Sequence, residues 1–118
     1  MKGKGLLFIT AFMSFNLMSA DYFIDRAIIG IGAYSSGDFS VLFINVDGDK
    51  RSMASCATTE RFAISSTAAN YKEMVTLAMT AYAAKDKHVE LIVSDTCNHW
   101  GNSQDVLGIK VGEITWSL

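Results

Sequence analysis

Two cysteines and two histidines in this chain could bind a metal ion or form a disulfide. They are Cys56, Cys97, His88 and His99. Thiolates and imidazoles are donors that zinc prefers, so the four together would offer a complete set of ligands. Their spacing matches no zinc motif, and His88 begins a segment of strand periodicity in which we expect it to face solvent. The alternative is a disulfide between Cys56 and Cys97, which an oxidising compartment would favour.

Residues 1–20 have the pattern of an export signal. Lys2 and Lys4 precede an apolar run over residues 5–17, and the segment ends at the small residues Ser19 and Ala20. The alternative, an uncleaved membrane anchor, needs about 20 apolar residues, and this run is shorter. We therefore predict a signal peptide cleaved after Ala20 or Ser19, a secreted or periplasmic protein with no membrane insertion after cleavage, and a disulfide in place of a metal site.

Cleavage would leave one domain, residues 21–118, which is enough chain for a single small core. The whole chain has a net charge of −2, and residues 1–20 contain two lysines and no acid, so the mature chain carries −4. That charge argues against nucleic acid and against an anionic membrane surface as partners. A disulfide closing a loop of about 40 residues would stabilise so small a domain by about 4 kcal/mol in the chain-entropy model.

No segment of the sequence has the pattern of a catalytic centre. Neither His88 nor His99 sits in a triad or nucleophile-elbow context, and the carboxylates are scattered through predicted turns. Gly30 and Gly32 lack the third glycine and the following helix of a phosphate-binding loop. We predict no catalytic residue, no metal and no cofactor.

A candidate ligand loop lies after Cys97. Asn98, His99, Trp100 and Asn102 combine an aromatic ring with amide and imidazole groups, which is the composition of many sugar-binding loops. The alternative for Trp100 is a structural role, in which its ring covers the disulfide or closes one end of a barrel. Residues 34–38, which begin with a tyrosine, form a second and weaker candidate segment.

Alternating apolar residues predict five strands. The first contains two glycines that would permit bending or the close approach of another backbone. A turn at residues 47–49, with Asp-Gly as its signal, would join the second and third strands as a hairpin, and its alternative as a calcium loop lacks the necessary later acids. The predicted strands cover residues 23–33, 39–46, 51–57, 88–94 and 106–116.

One helix is predicted over residues 67–84, between the third and fourth strands. Its apolar stripe recurs with helical spacing at Tyr71, Met74, Val75, Ala78, Ala81 and Tyr82. Asn70 and Glu73 have the spacing of a capping box at its start. The order β-β-β-α-β-β predicts a mainly β domain with one helix, a small five-stranded OB-fold-like Greek-key barrel.

The order of these elements and several short segments carry a family resemblance. The segments are Ser55-Cys56, Arg61-Phe62-Ala63-Ile64, the helix of residues 71–82 and Asp95-Thr96-Cys97. Over about residues 22–116 the chain resembles small secreted proteins of Gram-negative bacteria related to the B subunits of subtilase-type and pertussis-like toxins. The resemblance implies an OB fold with an internal disulfide, carried here by Cys56 and Cys97. It also implies a ring of five copies that binds sialylated or related cell-surface glycans and delivers a separate catalytic subunit.

The sequence therefore favours a secreted, non-catalytic binding module whose ligand is a glycan, with a pentamer implied by resemblance alone. The family's glycan-binding segment near the mature N-terminus has no residue-by-residue match in this chain. Two other hypotheses stay open: an inhibitor or immunity-like protein of the envelope, and a small periplasmic enzyme. An exposed apolar patch on a monomer would favour the inhibitor, and convergent titratable groups in a deep pocket would favour the enzyme.

Overall fold

A computed structural model describes residues 21–116, which form a mainly β domain with one helix. The predicted signal peptide and its cleavage point lie outside these residues. In the described part of the chain the helix is 14 residues long and is not long and apolar enough to cross a membrane. In chain order the elements are β1 Asp21–Arg26, β2 Ile28–Ser36, β3 Phe39–Val46, β4 Arg61–Ser65, α1 Tyr71–Ala84, β5 Val89–Val93 and β6 Ser103–Lys110.

The strands form one sheet in the order β1-β5-β6-β4-β3-β2, with β4 and β6 parallel and the other neighbours antiparallel. The two edge strands, β1 and β2, are separated in the chain by Ala27 alone. The sheet must therefore curl until its edges approach each other, which is the arrangement of an OB-type barrel. The predicted mainly β, OB-like architecture is confirmed, but with six strands in place of five, because the predicted first strand is divided into β1 and β2. Among the residues that the structure describes, these two edge strands are not paired with each other, so the sheet is not closed.

The division of the first strand falls at residues 25–27 and not at its glycines. Asp25 has a φ of 57°, in the left-handed region, and the pairing of β1 with β5 shifts register between Phe23 and Arg26. Such a shift bends a strand and increases its twist. A second register shift, between β2 and β3, lies between Ile28 and Gly30, so only Gly32 is away from both irregularities.

The segment between β3 and β4, here called loop 47–60, contradicts the predicted hairpin and the predicted third strand at residues 51–57. Arg26 donates from its Nη1 and Nη2 atoms to the backbone carbonyls of Asp47 and Asp49, each at 2.7 Å. The side chain of Asp47 accepts from the backbone N–H of Ala27 at 2.8 Å. These bonds attach the Asp-Gly turn to the β1–β2 junction, so the chain does not reverse there, and β3 pairs instead with β4.

Helix α1 confirms the predicted helix and most of its buried stripe. Met74, Ala78 and Ala81 are buried against the sheet, whereas Tyr82 is 46% exposed and does not belong to the core. Asn70 occupies the N-cap position, but its side chain donates to the carbonyl of Leu107 at 3.2 Å and makes no capping bond. The predicted capping box is therefore wrong.

The last two strands place polar groups where the sequence predicted a loop. β5 presents Val89, Leu91 and Val93 to the core. β6 begins at Ser103, ahead of the predicted start at residue 106, and ends at Lys110. Its buried Gln104 accepts from the backbone N–H of Ala54 and donates to the carbonyl of Ser94, both at 2.9 Å. A side-chain amide whose oxygen and nitrogen are both hydrogen-bonded can lie in a core. The start of the strand was missed because residues 103–105 are polar and polar residues were read as a loop.

Candidate functional site

The predicted disulfide is present and connects two loops. Cys56 in loop 47–60 is bonded to Cys97 in the segment between β5 and β6, here called loop 94–102, and their Cα atoms lie 6.1 Å apart. His88 is exposed, as predicted, with its Nδ1 atom 3.4 Å from Asp25. Within residues 21–116 no three His, Cys, Asp or Glu side chains form a group that could hold a metal ion.

The two segments that the sequence singled out for ligand binding meet on the outer surface of the sheet. Trp100 of loop 94–102 makes edge-to-face contacts with Tyr34 of β2 and Phe43 of β3, at centroid distances of 5.5 and 5.6 Å. We call these three rings the aromatic face. Tyr34 is 55% exposed, so part of this surface is open to solvent.

Strand alternation explains why these rings lie outside the core. In β3 the side chains of Leu42, Ile44 and Val46 belong to the core cluster, which turns Phe43 to the opposite surface. In β2 the residue opposite Phe43 is Gly32, and Tyr34 follows it on the same surface. The pattern that buries one face of the hairpin thereby presents an aromatic residue from each strand on the other.

Arg61 supplies a cation at the edge of the aromatic face. Its guanidinium carbon lies 4.1 Å from the centroid of the Phe43 ring, a cation–π contact. Its Nη2 atom donates to the side-chain oxygen of Asn102 at 2.9 Å, and its Nε atom donates to the hydroxyls of Thr59 and Ser103. Among residues 21–116, its Nη1 atom makes no hydrogen bond and no carboxylate lies in ion-pair range. Sequence reasoning did not select Arg61 as a site residue.

Of the four predicted loop residues, Trp100 and Asn102 lie at this surface, and the other two maintain the loop. The backbone N–H groups of Asn98 and His99 donate to the two carboxylate oxygens of Asp105, at 2.9 and 2.8 Å. The Nδ1 atom of His99 lies 3.1 Å from the carbonyl of Ala63, which requires Nδ1 to carry the proton. The half-buried imidazole therefore fastens the loop to β4.

Asp105 is the anchor of loop 94–102. Its side chain is buried and accepts hydrogen bonds from the hydroxyl of Thr96 and from the backbone N–H groups of Asn98 and His99. Burial alone would raise the pKa of Asp105, but these three donors outweigh it and hold the pKa below the ordinary value for aspartate. The loop that presents Trp100 is thus organised around an ionised carboxylate.

A groove of about 800 Å³ in the described surface shares no residue with the aromatic face. Its polar side chains include Asp25, Asp86, His88, Glu90, Lys110 and Glu113. Four of these side chains lie in two pairs: His88 Nδ1 is 3.4 Å from a carboxylate oxygen of Asp25, and Lys110 Nζ is 3.8 Å from a carboxylate oxygen of Glu90. The aromatic face combines partly exposed rings with Arg61, a cation that has no ion-pair partner among the described residues, so we take it as the candidate site.

Fold and geometry together define a disulfide-linked OB-type barrel with an aromatic patch on its outer surface. No protein-family model and no curated protein matches the chain. Among solved structures, a mutant of the Salmonella typhi PltB homopentamer matches with a TM-score of 0.56 and 14% identity, over 80% of this chain and 86% of that chain. The resemblance to toxin B subunits is therefore confirmed at the level of the fold.

A second PltB homopentamer mutant was solved with Neu5Ac-alpha-2-3-Gal-beta-1-4-GlcNAc glycans. It matches with a TM-score of 0.53 and 14% identity, over 76% of this chain and 83% of that chain. At this identity the likeness concerns the fold, so the ligand of the neighbour is a statement about PltB.

Proposed function

We propose that this protein is a non-catalytic carbohydrate-binding module and that the aromatic face is its binding site. The observation that carries the proposal is the convergence of Trp100 and Tyr34, from the two segments with sugar-binding composition, beside the side chains of Arg61 and Asn102. The shared fold with a homopentamer solved with glycans supports it. Apolar ring surface with a few fixed polar groups is what small-ligand sites generally offer.

Arg61 favours a sugar that carries a carboxylate. A guanidinium binds a carboxylate through short, charge-assisted hydrogen bonds, and its planar fork suits that group better than an ammonium does. Because Arg61 already lies over Phe43 and is fixed by Asn102, little side-chain entropy would be lost when an acidic ligand binds. Neu5Ac, the terminal sugar of the glycans in the PltB structure, is such an acid.

A glycan array with the folded mature protein tests the proposal. We expect acidic glycans to bind, and we expect Trp100→Ala and Tyr34→Ala each to weaken that binding by about tenfold or more, which corresponds to about 1.4 kcal/mol. Tyr82→Ala is the matched control, because Tyr82 is an exposed aromatic residue on the helix. Failure of every glycan to bind would overturn the proposal. So would equal affinities for the wild-type protein and both site variants.

We also propose that the protein assembles as a homopentamer, which rests on the assemblies of the structural neighbours. Five copies would raise the avidity of a weak site without any new contact to the sugar. Native mass spectrometry of the mature protein should give five times the mass of one chain. A monomer at every concentration would contradict this proposal and would favour the inhibitor or immunity-like hypothesis.

We also propose that the protein is exported to the periplasm or secreted. A disulfide persists in oxidising compartments, and this protein has one between Cys56 and Cys97. Expression of the full chain in a Gram-negative host should yield a periplasmic or secreted product whose first residue is Asp21, or Ala20 if the cut follows Ser19. N-terminal sequencing of that product decides the site, and a cytoplasmic product that retains Met1 would contradict export.

A further inference from the structure

A cleft of about 320 Å³ opens beside the aromatic face. The backbone of β2 at Gly30 and Gly32 forms its floor, and Phe43, Asn45 and Arg61 line its sides. This volume is near the lower limit for small-ligand pockets, so the cleft accommodates a group of about the size of one sugar ring.

The structure of β2 does not itself require glycine at residue 32. No heavy atom lies within 4 Å of the point where a Cβ would stand on Gly32, and its φ is not in the left-handed region. Glycine inside a strand weakens it and usually marks a bulge, a bend, or the close approach of a ligand or another backbone. The register shift of β2 lies between Ile28 and Gly30, and the bend lies at residues 25–27, so close approach is the remaining explanation.

The opposing aromatic ring leaves Gly32 uncovered. In many sheets an aromatic residue lies over the glycine on the neighbouring strand and fills the missing volume. Phe43 is the partner of Gly32, but its ring contacts Arg61 and Trp100 instead. Phe43 thus lines the cleft without covering the backbone at Gly32.

We infer that Gly32, Asn45 and Arg61 determine which sugars the site accepts. This inference rests on the proposed carbohydrate-binding function. One ring of the ligand enters the cleft against the Gly32 backbone, while the Asn45 amide and Arg61 Nη1 meet its polar substituents. Among residues 21–116, neither the Asn45 side chain nor Arg61 Nη1 has a hydrogen-bond partner, so both are available. A side chain at residue 32 would exclude the ring by occupying its place.

The substitution Gly32→Val tests this inference, with Ala33→Val as its matched control. Both add the same branched side chain to neighbouring positions of β2, but Ala33 points to the opposite side of the strand. We expect Gly32→Val to lose about tenfold or more in glycan affinity, measured by isothermal titration. Its melting temperature should stay level or rise, because valine suits a strand better than glycine. Ala33→Val should bind like the wild-type protein.

A second variant, Asn45→Phe, closes the cleft from the other wall and should lose affinity in the same way, which covers a failure of Gly32→Val to fold. If Trp100→Ala abolishes binding while Gly32→Val and Asn45→Phe bind normally, the inference is overturned and the proposed function stands. If the wild-type protein binds no glycan, both the inference and the proposed function are overturned. If Gly32→Val changes the mass of the assembly, the cleft seats another copy of the chain, which also overturns the inference.

Discussion

Loop 47–60 and loop 94–102 are joined by one disulfide, yet they are held in different ways. Loop 47–60 is fastened from outside by Arg26, which donates to two of its carbonyls, and by Gln104 of β6. Loop 94–102 is organised by the adjacent strand, since Asp105 gathers three of its donors. The loop with the candidate binding residues is therefore held by short-range hydrogen bonds to one carboxylate, whereas loop 47–60 is held by contacts from residues far away in the chain.

Removal of the disulfide should have the largest effect, because it separates the two loops. Replacing both cysteines with alanine should lower the free energy of unfolding by about 4 kcal/mol in the chain-entropy model, measured by urea denaturation. As the accompanying control, the native wild-type protein should show no free thiol to a labelling reagent before reduction. One labelled cysteine per native chain, or a loss below about 1 kcal/mol, would contradict the role assigned to the bond.

The second-largest loss of stability should follow from removing the carboxylate of Asp105. Asp105→Asn replaces two acceptor oxygens with one and directs an amide N–H towards existing donors, so we expect a loss of about 2–3 kcal/mol in stability. Glycan affinity should fall as well, because the loop that carries Trp100 loses its organiser. Asp95→Asn is the matched control: Asp95 is exposed in the same loop, and its substitution should stay within about 0.5 kcal/mol. Equal effects of the two substitutions would refute the anchor.

The pH dependence of stability isolates the charge on Asp105. Its pKa is lower in the folded protein than in the unfolded chain, so its contribution is complete above about pH 4–5 and is lost as the pH falls through the folded-state pKa. The stability difference between wild type and Asp105→Asn should therefore shrink between pH 5 and pH 2. Asp49, whose pKa is lowered by hydrogen bonds from Arg51, titrates in both proteins and cancels. A difference that stays constant with pH would show that the charge contributes nothing.

The smallest loss of stability should come from removing the Arg26 side chain that holds loop 47–60. Arg26→Met removes two hydrogen bonds to backbone carbonyls, and we expect a loss of about 1 kcal/mol in unfolding free energy with unchanged glycan affinity. Arg51→Met is the control, because Arg51 forms a fully exposed ion pair with Asp49 and should give no measurable change. Weakened glycan binding in Arg26→Met would mean that the two loops are coupled through the disulfide.

The same contrast explains what the sequence could predict. The disulfide and the helix follow from local patterns and from the compartment that the first twenty residues indicate. The contacts of Trp100 with Tyr34 and Phe43 follow only from the folded sheet. Loop 47–60 was mispredicted because Asp-Gly signals a hairpin, and the competing contact comes from Arg26, far earlier in the chain. Arg61 was missed because its site role depends on Phe43 and Asn102, which only the folded sheet brings near it.

Carbohydrate recognition by the aromatic face is tested most directly by isothermal titration of the mature protein with Neu5Ac-alpha-2-3-Gal-beta-1-4-GlcNAc and with the same glycan lacking Neu5Ac. We predict that the acidic glycan binds, that its neutral core binds at least about tenfold more weakly, and that Trp100→Ala weakens the binding of the acidic glycan by about tenfold or more. Equal binding of both glycans would show that Arg61 does not recognise the carboxylate of the acidic sugar. An unchanged titration of Trp100→Ala would show that the sugar binds elsewhere.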